Sequence, residues 1–71
     1  MQYFEFKQGN ASKFWEIHNY WNEDSPNVYV RWGKIGSPGI EKRFYYDNMD
    51  WGSNFVKKKI EEKVKKGYVE K

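Results

Sequence analysis

Hydrophobicity along this chain changes period once, and that change limits the fold more than any other feature. Up to about residue 46 apolar side chains recur at every second position, as in strands with one buried face. From about Asp50 they recur at Val56, Ile60 and Val64, as on one stripe of a helix. An antiparallel sheet with one face covered by a C-terminal helix is the simplest way to bury both sets. The predicted class is therefore α+β: a small antiparallel sheet of about four to five strands with one C-terminal α-helix. Seventy-one residues are expected to make a single domain, 1–71, with a small core.

The alternation assigns faces. Residues 2–8 put Phe4 and Phe6 on one side and Tyr3, Glu5 and Lys7 on the other, before a turn over Gly9-Asn10-Ala11-Ser12. Residues 13–19 pair Trp15 with Ile17 against Phe14, Glu16 and His18, and polar residues 22–27 then read as a loop. Residues 27–32 set Val28, Val30 and Trp32 opposite Tyr29 and Arg31. Ser37-Pro38-Gly39-Ile40 has the Pro and Gly placement of a type II turn and predicts a hairpin into residues 40–46. Asn48 or Asp50 is a candidate helix cap and Gly67 a candidate stop. Gly52 costs about 1 kcal/mol inside a helix, which moves the expected start towards Ser53.

With no Cys, neither disulfides nor thiolate metal sites support the core, so packing of four Trp, six Tyr and five Phe must do so. No apolar run reaches the length of a membrane span, and the first residues lack the pattern of a signal peptide. A soluble cytoplasmic protein is expected. Residues 31–71 hold eleven Lys or Arg against six Asp or Glu, while residues 1–30 hold two against four. That asymmetry favours an anionic partner.

Catalytic chemistry is thinly supplied. His18 is the sole imidazole, and Glu23 and Asp24 are adjacent in a polar stretch, with no catalytic or metal-binding spacing. A structural or surface histidine is the plainer reading, and an active site would need a pocket where His18 meets a carboxylate. No metal or cofactor is expected. The lysines at 57–59, 63, 65 and 66 fit either a solvated helix face or a phosphate-contacting one. Trp32 is likewise open to two readings, a core tryptophan at a strand end or an exposed stacking ring. Arg31 and Lys34 flank Trp32-Gly33, and Gly33 permits close backbone approach. Aromatic stacking beside cations is how proteins hold single-stranded or terminal nucleotides. Lys42 and Arg43, across the predicted hairpin, extend the candidate patch.

Lys13-Phe14-Trp15-Glu16-Ile17, Val30-Arg31-Trp32-Gly33-Lys34-Ile35-Gly36, Gly39, and Glu62-Lys63-Val64-Lys65-Lys66-Gly67-Tyr68-Val69-Glu70 follow in order over nearly the whole chain. Together they resemble successive blocks of bacterial WGR domains, a module also found in some poly(ADP-ribose) polymerases. The resemblance implies a helix-on-sheet fold and nucleic-acid binding. In the polymerases the signature Trp packs on the sugar at a strand terminus and nearby cations hold phosphate; by position these roles fall to Trp32 and Lys34, with Tyr68 bordering the site. Lys34 stands where the signature has Arg, which keeps the charge but loses the planar bidentate fork. In those polymerases the module also relays DNA binding to a catalytic domain, a role not expected of these 71 residues themselves.

The sequence thus predicts a non-enzymatic nucleic-acid-binding module, with DNA favoured over RNA, acting at ends, nicks or single-stranded junctions. Its expected site is Arg31, Trp32, Gly33, Lys34, Lys42, Arg43 and Tyr68. The competing expectation is a protein-interaction domain that uses its aromatic sheet edge, Tyr and Trp being enriched at interface hot spots.

Overall fold

The structure, a computed structural model, describes residues 2–20, 27–46 and 49–71. The polar stretch including Glu23 and Asp24 lies almost wholly outside the described residues, as do Asp47 and the candidate cap Asn48. In chain order the elements are strands β1 (Gln2–Gln8), β2 (Ala11–Tyr20), β3 (Asn27–Lys34) and β4 (Ile40–Tyr45), helix α1 (Met49–Lys66), and a short strand β5 (Val69–Glu70). They form one five-stranded sheet in the order β4-β3-β2-β1-β5, with every pairing antiparallel. Periodicity did not isolate β5, because two residues are too few to show an alternation. It pairs with β1 at Phe4 and Glu5 once the helix has turned the chain back.

The alternating faces emerge as expected. Phe4, Trp15, Ile17, Val28 and Val30 form the inner face, and with Val56 of α1 they make the buried core. Phe44, Phe55 and Ile60 pack around it, the Phe44 and Phe55 rings 4.9 Å apart. Burying a side chain of this kind contributes about 1.5–3 kcal/mol, enough for a few of them to hold the helix on the sheet.

Three local features differ from expectation. The hydrogen-bonded turn of the β3–β4 hairpin is Lys34–Ser37, with the Ser37 amide donating to the Lys34 carbonyl at 3.0 Å. Gly36, with φ +92°, supplies its third position. Trp32 pairs with Ile40, so the chain must turn immediately after Lys34. The helix also starts at Met49 and runs through Gly52, which is buried one turn before Val56 on the inward stripe. Finally, Val64 is 53% exposed, while Lys63 is half-buried. At 3.6 residues per turn the position seven after Val56 stays closer to its azimuth than the one eight after, so a lysine holds the inward place in the last turn.

Gly67 ends the helix as expected. Its amide donates to the Val64 carbonyl and that of Tyr68 to the Lys63 carbonyl, both at 3.0 Å, which is the Schellman pattern. This stop swings Tyr68 against Phe6, ring centres 5.2 Å apart, and delivers β5 to the sheet edge.

Candidate nucleic-acid interface

Alternation along β3 decides which candidate residues can act together. Trp32 and Lys34 follow Val28 and Val30 on the inner face, past its fully buried part, with Trp32 at the margin of α1. Trp32 is 36% exposed, so it is neither a core residue nor a free one. Lys42 pairs with Val30 and shares this face, its ammonium 5.1 Å from the Phe44 ring centre. Tyr68, just past the C-terminus of the helix, lines the same end. A hollow of about 530 Å³ is lined by Trp32, Gly33, Lys34, Tyr68, Ile40 and Lys13, with part of the Gly9–Ser12 turn as its rim.

Lys13 was missed by the reading of the sequence. It lies directly across from Lys34 in the β2–β3 register, so two lysines on neighbouring strands share one face and both line the hollow. Like charges directly opposed on neighbouring strands are destabilising, and an anion between them reverses the sign of that interaction. The signal was present as the alternation Lys13, Trp15, Ile17, but it needed the pairing register to show the partner.

Arg31 and Arg43 stand on the outer face, away from this hollow. Buried Glu16 accepts a hydrogen bond from Arg31 Nε, and Arg31 Nη1 donates to the Pro38 carbonyl at 3.0 Å. The Arg31 guanidinium also lies 4.8 Å above the Phe14 ring centre. Its pairing with Glu16 raises its pKa and keeps it charged. Arg31 is thereby committed to tying the hairpin to β2, and Arg43 lies over Tyr29, 5.6 Å from the ring centre. The predicted seven-residue patch therefore separates into an inner group of Trp32, Gly33, Lys34, Lys42 and Tyr68 and an outer pair of arginines.

Gly33 has a local structural reason. A Cβ there would lie 2.8 Å from the Cα of Gly39, so the space beside Gly33 is taken by the chain's own return. The two glycines let the hairpin close against β3, which fixes Trp32 at its end.

His18 lines an outer-face hollow of about 730 Å³ with Glu16, Tyr29, Arg31, Glu41 and Arg43. It does meet carboxylates there, yet Glu16 is engaged by Arg31, and Glu41 accepts a hydrogen bond from the Tyr29 hydroxyl. That bond raises the Tyr29 pKa. Burial pushes the His18 imidazole below its ordinary value, favouring its neutral form. Among the described residues no group of three His, Cys, Asp or Glu is placed to hold a metal ion.

Fold and site together define a small binding module, with an aromatic ring and opposed lysines around a hollow at the open end of a helix-covered sheet. The chain belongs to the WGR domain family, whose model matches residues 1–71. That family is associated with nucleic-acid binding in poly(ADP-ribose) polymerases, where it is a binding module rather than a catalytic domain. Protein YehF of Escherichia coli (strain K12) is 31% identical over 70 residues, which are 99% of this chain and 24% of that protein. A protein of Bacteroides fragilis, known from its crystal structure, superposes with a TM-score of 0.89 at 31% identity over 99% of this chain and 19% of that one. The chain thus spans about a quarter of one relative and about a fifth of the other. No described helix is long and apolar enough to cross a membrane.

Proposed function

We propose that this chain is a non-enzymatic module that holds the end of a DNA strand at a break or nick. Trp32 packs on the terminal sugar, and Lys13 and Lys34 hold the neighbouring phosphate. Tyr68 walls the hollow, and Gly33 keeps the hairpin clear of it. The observation that carries this reading is the pairing of Lys13 opposite Lys34 beside a Trp that is only partly covered. Such an arrangement costs the free protein stability and is relieved by an anion. Phosphate contacts of this kind position a strand without reading its sequence. A nucleic-acid ligand also places the work of the module inside the cell, in the cytoplasm.

The test is a binding titration against nicked and covalently closed circles of one sequence, at two salt concentrations, with RNA duplex as competitor. Wild type is expected to prefer the nicked circle and DNA over RNA. Log affinity should fall with log salt by about 0.9 per phosphate neutralised. Trp32→Ala should erase the preference for the nick. The ring is only 36% exposed, so the variant should also lose stability, by less than the about 3–5 kcal/mol of a fully buried Trp, and is compared with wild type at a temperature where both are folded. Equal binding of both circles by wild type would refute end recognition, and no binding at low salt would refute nucleic-acid binding itself.

A protein partner is the second reading. It draws on the outer face, where Tyr29, Arg31 and Arg43 surround a hollow that the described residues leave open. Substitution of Arg43 that releases a protein partner while DNA binding persists would favour it.

A further inference from the structure

Trp32 borders two hollows, and the proposed end-binding site uses one of them. The other, about 240 Å³, lies between α1 and the β3–β4 side of the sheet. Its floor is Trp32, Val30 and Phe44 over buried Trp15, and its wall is Lys59, Lys63 and Lys66 with Glu62. The Glu62 carboxylate is 3.4 Å from Lys59, so the wall keeps a surplus of positive charge. Lys63 is held between two rings, its ammonium 5.6 Å from the Trp15 centre and 5.1 Å from that of Tyr68. Burial, then the like charges of Lys66 and Lys59, lower its pKa. The Glu62 carboxylate opposes that shift without cancelling it, so a partly buried cation here has more like than opposite charge around it, and a bound anion restores the balance.

Trp32 is common to both hollows, and three helix lysines line up beside the second. A groove with an aromatic floor and a cationic wall suits a nucleotide, whose base stacks while its phosphate meets the ammonium groups. On the end-binding reading proposed above, a blunt duplex end would stop at Trp32 and leave this groove empty. We propose that the groove between α1 and β4 takes the first unpaired nucleotide of a single-stranded extension, so that the module binds an end with an overhang more tightly than a blunt one. This rests on the reading of Trp32 and its opposed lysines as the holder of a DNA end.

The experiment compares a blunt duplex with duplexes carrying a short 5′ or 3′ single-stranded extension. The proteins are wild type and two charge-matched variants, Lys59→Gln/Lys66→Gln in the groove and Lys13→Gln/Lys34→Gln at the end site, each checked for an unchanged fold by thermal melting. Wild type should bind one of the extended duplexes at least about fivefold more tightly than the blunt one, the gain expected of one stacked base. The groove variant should lose that gain and keep its blunt-end affinity. The end-site variant should weaken on every ligand. Equal wild-type affinity for blunt and extended ends overturns the groove proposal but leaves end binding standing. Equal losses by both variants on all ligands also overturn it, since the groove lysines would then be acting as general charge. Wild type failing to bind any duplex end refutes the end-binding reading itself, and this inference falls with it.

Discussion

Replacing Gly39 by Ala tests whether the seam between the hairpin and β3 is what holds Trp32 at the site. Gly39 has φ +73°, and a Cβ there would lie 2.5 Å from the Trp32 carbonyl oxygen and 2.7 Å from Phe14 Cζ. Gly36, in the same loop, has φ +92° but nothing within 4 Å of its Cβ position. Both substitutions incur the left-handed backbone cost of about 1–2 kcal/mol. Both recover about 0.4–1 kcal/mol by restricting the unfolded chain. Gly36→Ala should therefore lose about 1 kcal/mol. Gly39→Ala adds an overpacking term of about 1–3 kcal/mol, for a total of about 2–4. Gly33 lacks a positive φ, so Gly33→Ala should show the steric term offset only by the same unfolded-chain recovery.

Urea unfolding monitored by tryptophan fluorescence, with thermal melts alongside, gives all three values. For a domain of this size each kcal/mol moves the midpoint by about 4–8 °C, so Gly39→Ala should melt at least about 5 °C below Gly36→Ala. Equal midpoints for Gly39→Ala and Gly36→Ala would mean that the loop relaxes freely, and the argument that the seam positions Trp32 would fail.

Two further outcomes follow from the same structure. Lys13→Gln should raise stability by about 0.2–1 kcal/mol through relief of the opposed pair, by less at high salt, while weakening binding to nicked DNA; a loss of stability would contradict the repulsion argument. Burial lowers the His18 pKa below 6.5 in the folded protein, with the Glu16 carboxylate opposing the shift and the Arg31 guanidinium adding to it. As pH falls through about 6.5 the unfolded chain therefore takes up its proton first, so His18 stabilises fully above that value and progressively less below it. Urea midpoints at about pH 7.5 and about pH 5.5 should differ more for wild type than for His18→Gln, and an equal difference would refute the assignment.

Strand faces were legible in the sequence because a period of two fixes every side chain once one buried residue is known. Phe4, Trp15, Ile17, Val28 and Val30 all sit where the alternation puts them. The same rule already placed Arg31 opposite Trp32, yet adjacency in sequence drew it into the candidate patch, and its guanidinium serves Glu16 and Pro38 instead. Lys13 was hidden for another reason: its meaning lies in the register between β2 and β3, which neither strand determines alone. Lys63 was hidden by its chemistry, since an apolar count passes over a lysine whose stem fills the inward position and whose ammonium rests on aromatic rings.

Register also bears on the Lys that stands at the third signature position. A guanidinium there would grip a phosphate through two parallel N–H groups, whereas one ammonium offers only a point charge. Lys34 does not act alone, because Lys13 projects beside it from the next strand. Two ammonium groups with three donors each can bracket a phosphate from two directions and replace a planar fork with a pincer. If so, the two lysines depend on each other in a way that an arginine would not. Lys34→Arg should keep wild-type affinity for a nicked duplex bearing a 5′-phosphate. Lys13→Gln should then cost less affinity in the Lys34→Arg protein than in wild type, a coupling that a double-mutant cycle measures directly. Additive losses would show that the two lysines act only as independent charges and would remove the pincer from the account of the site.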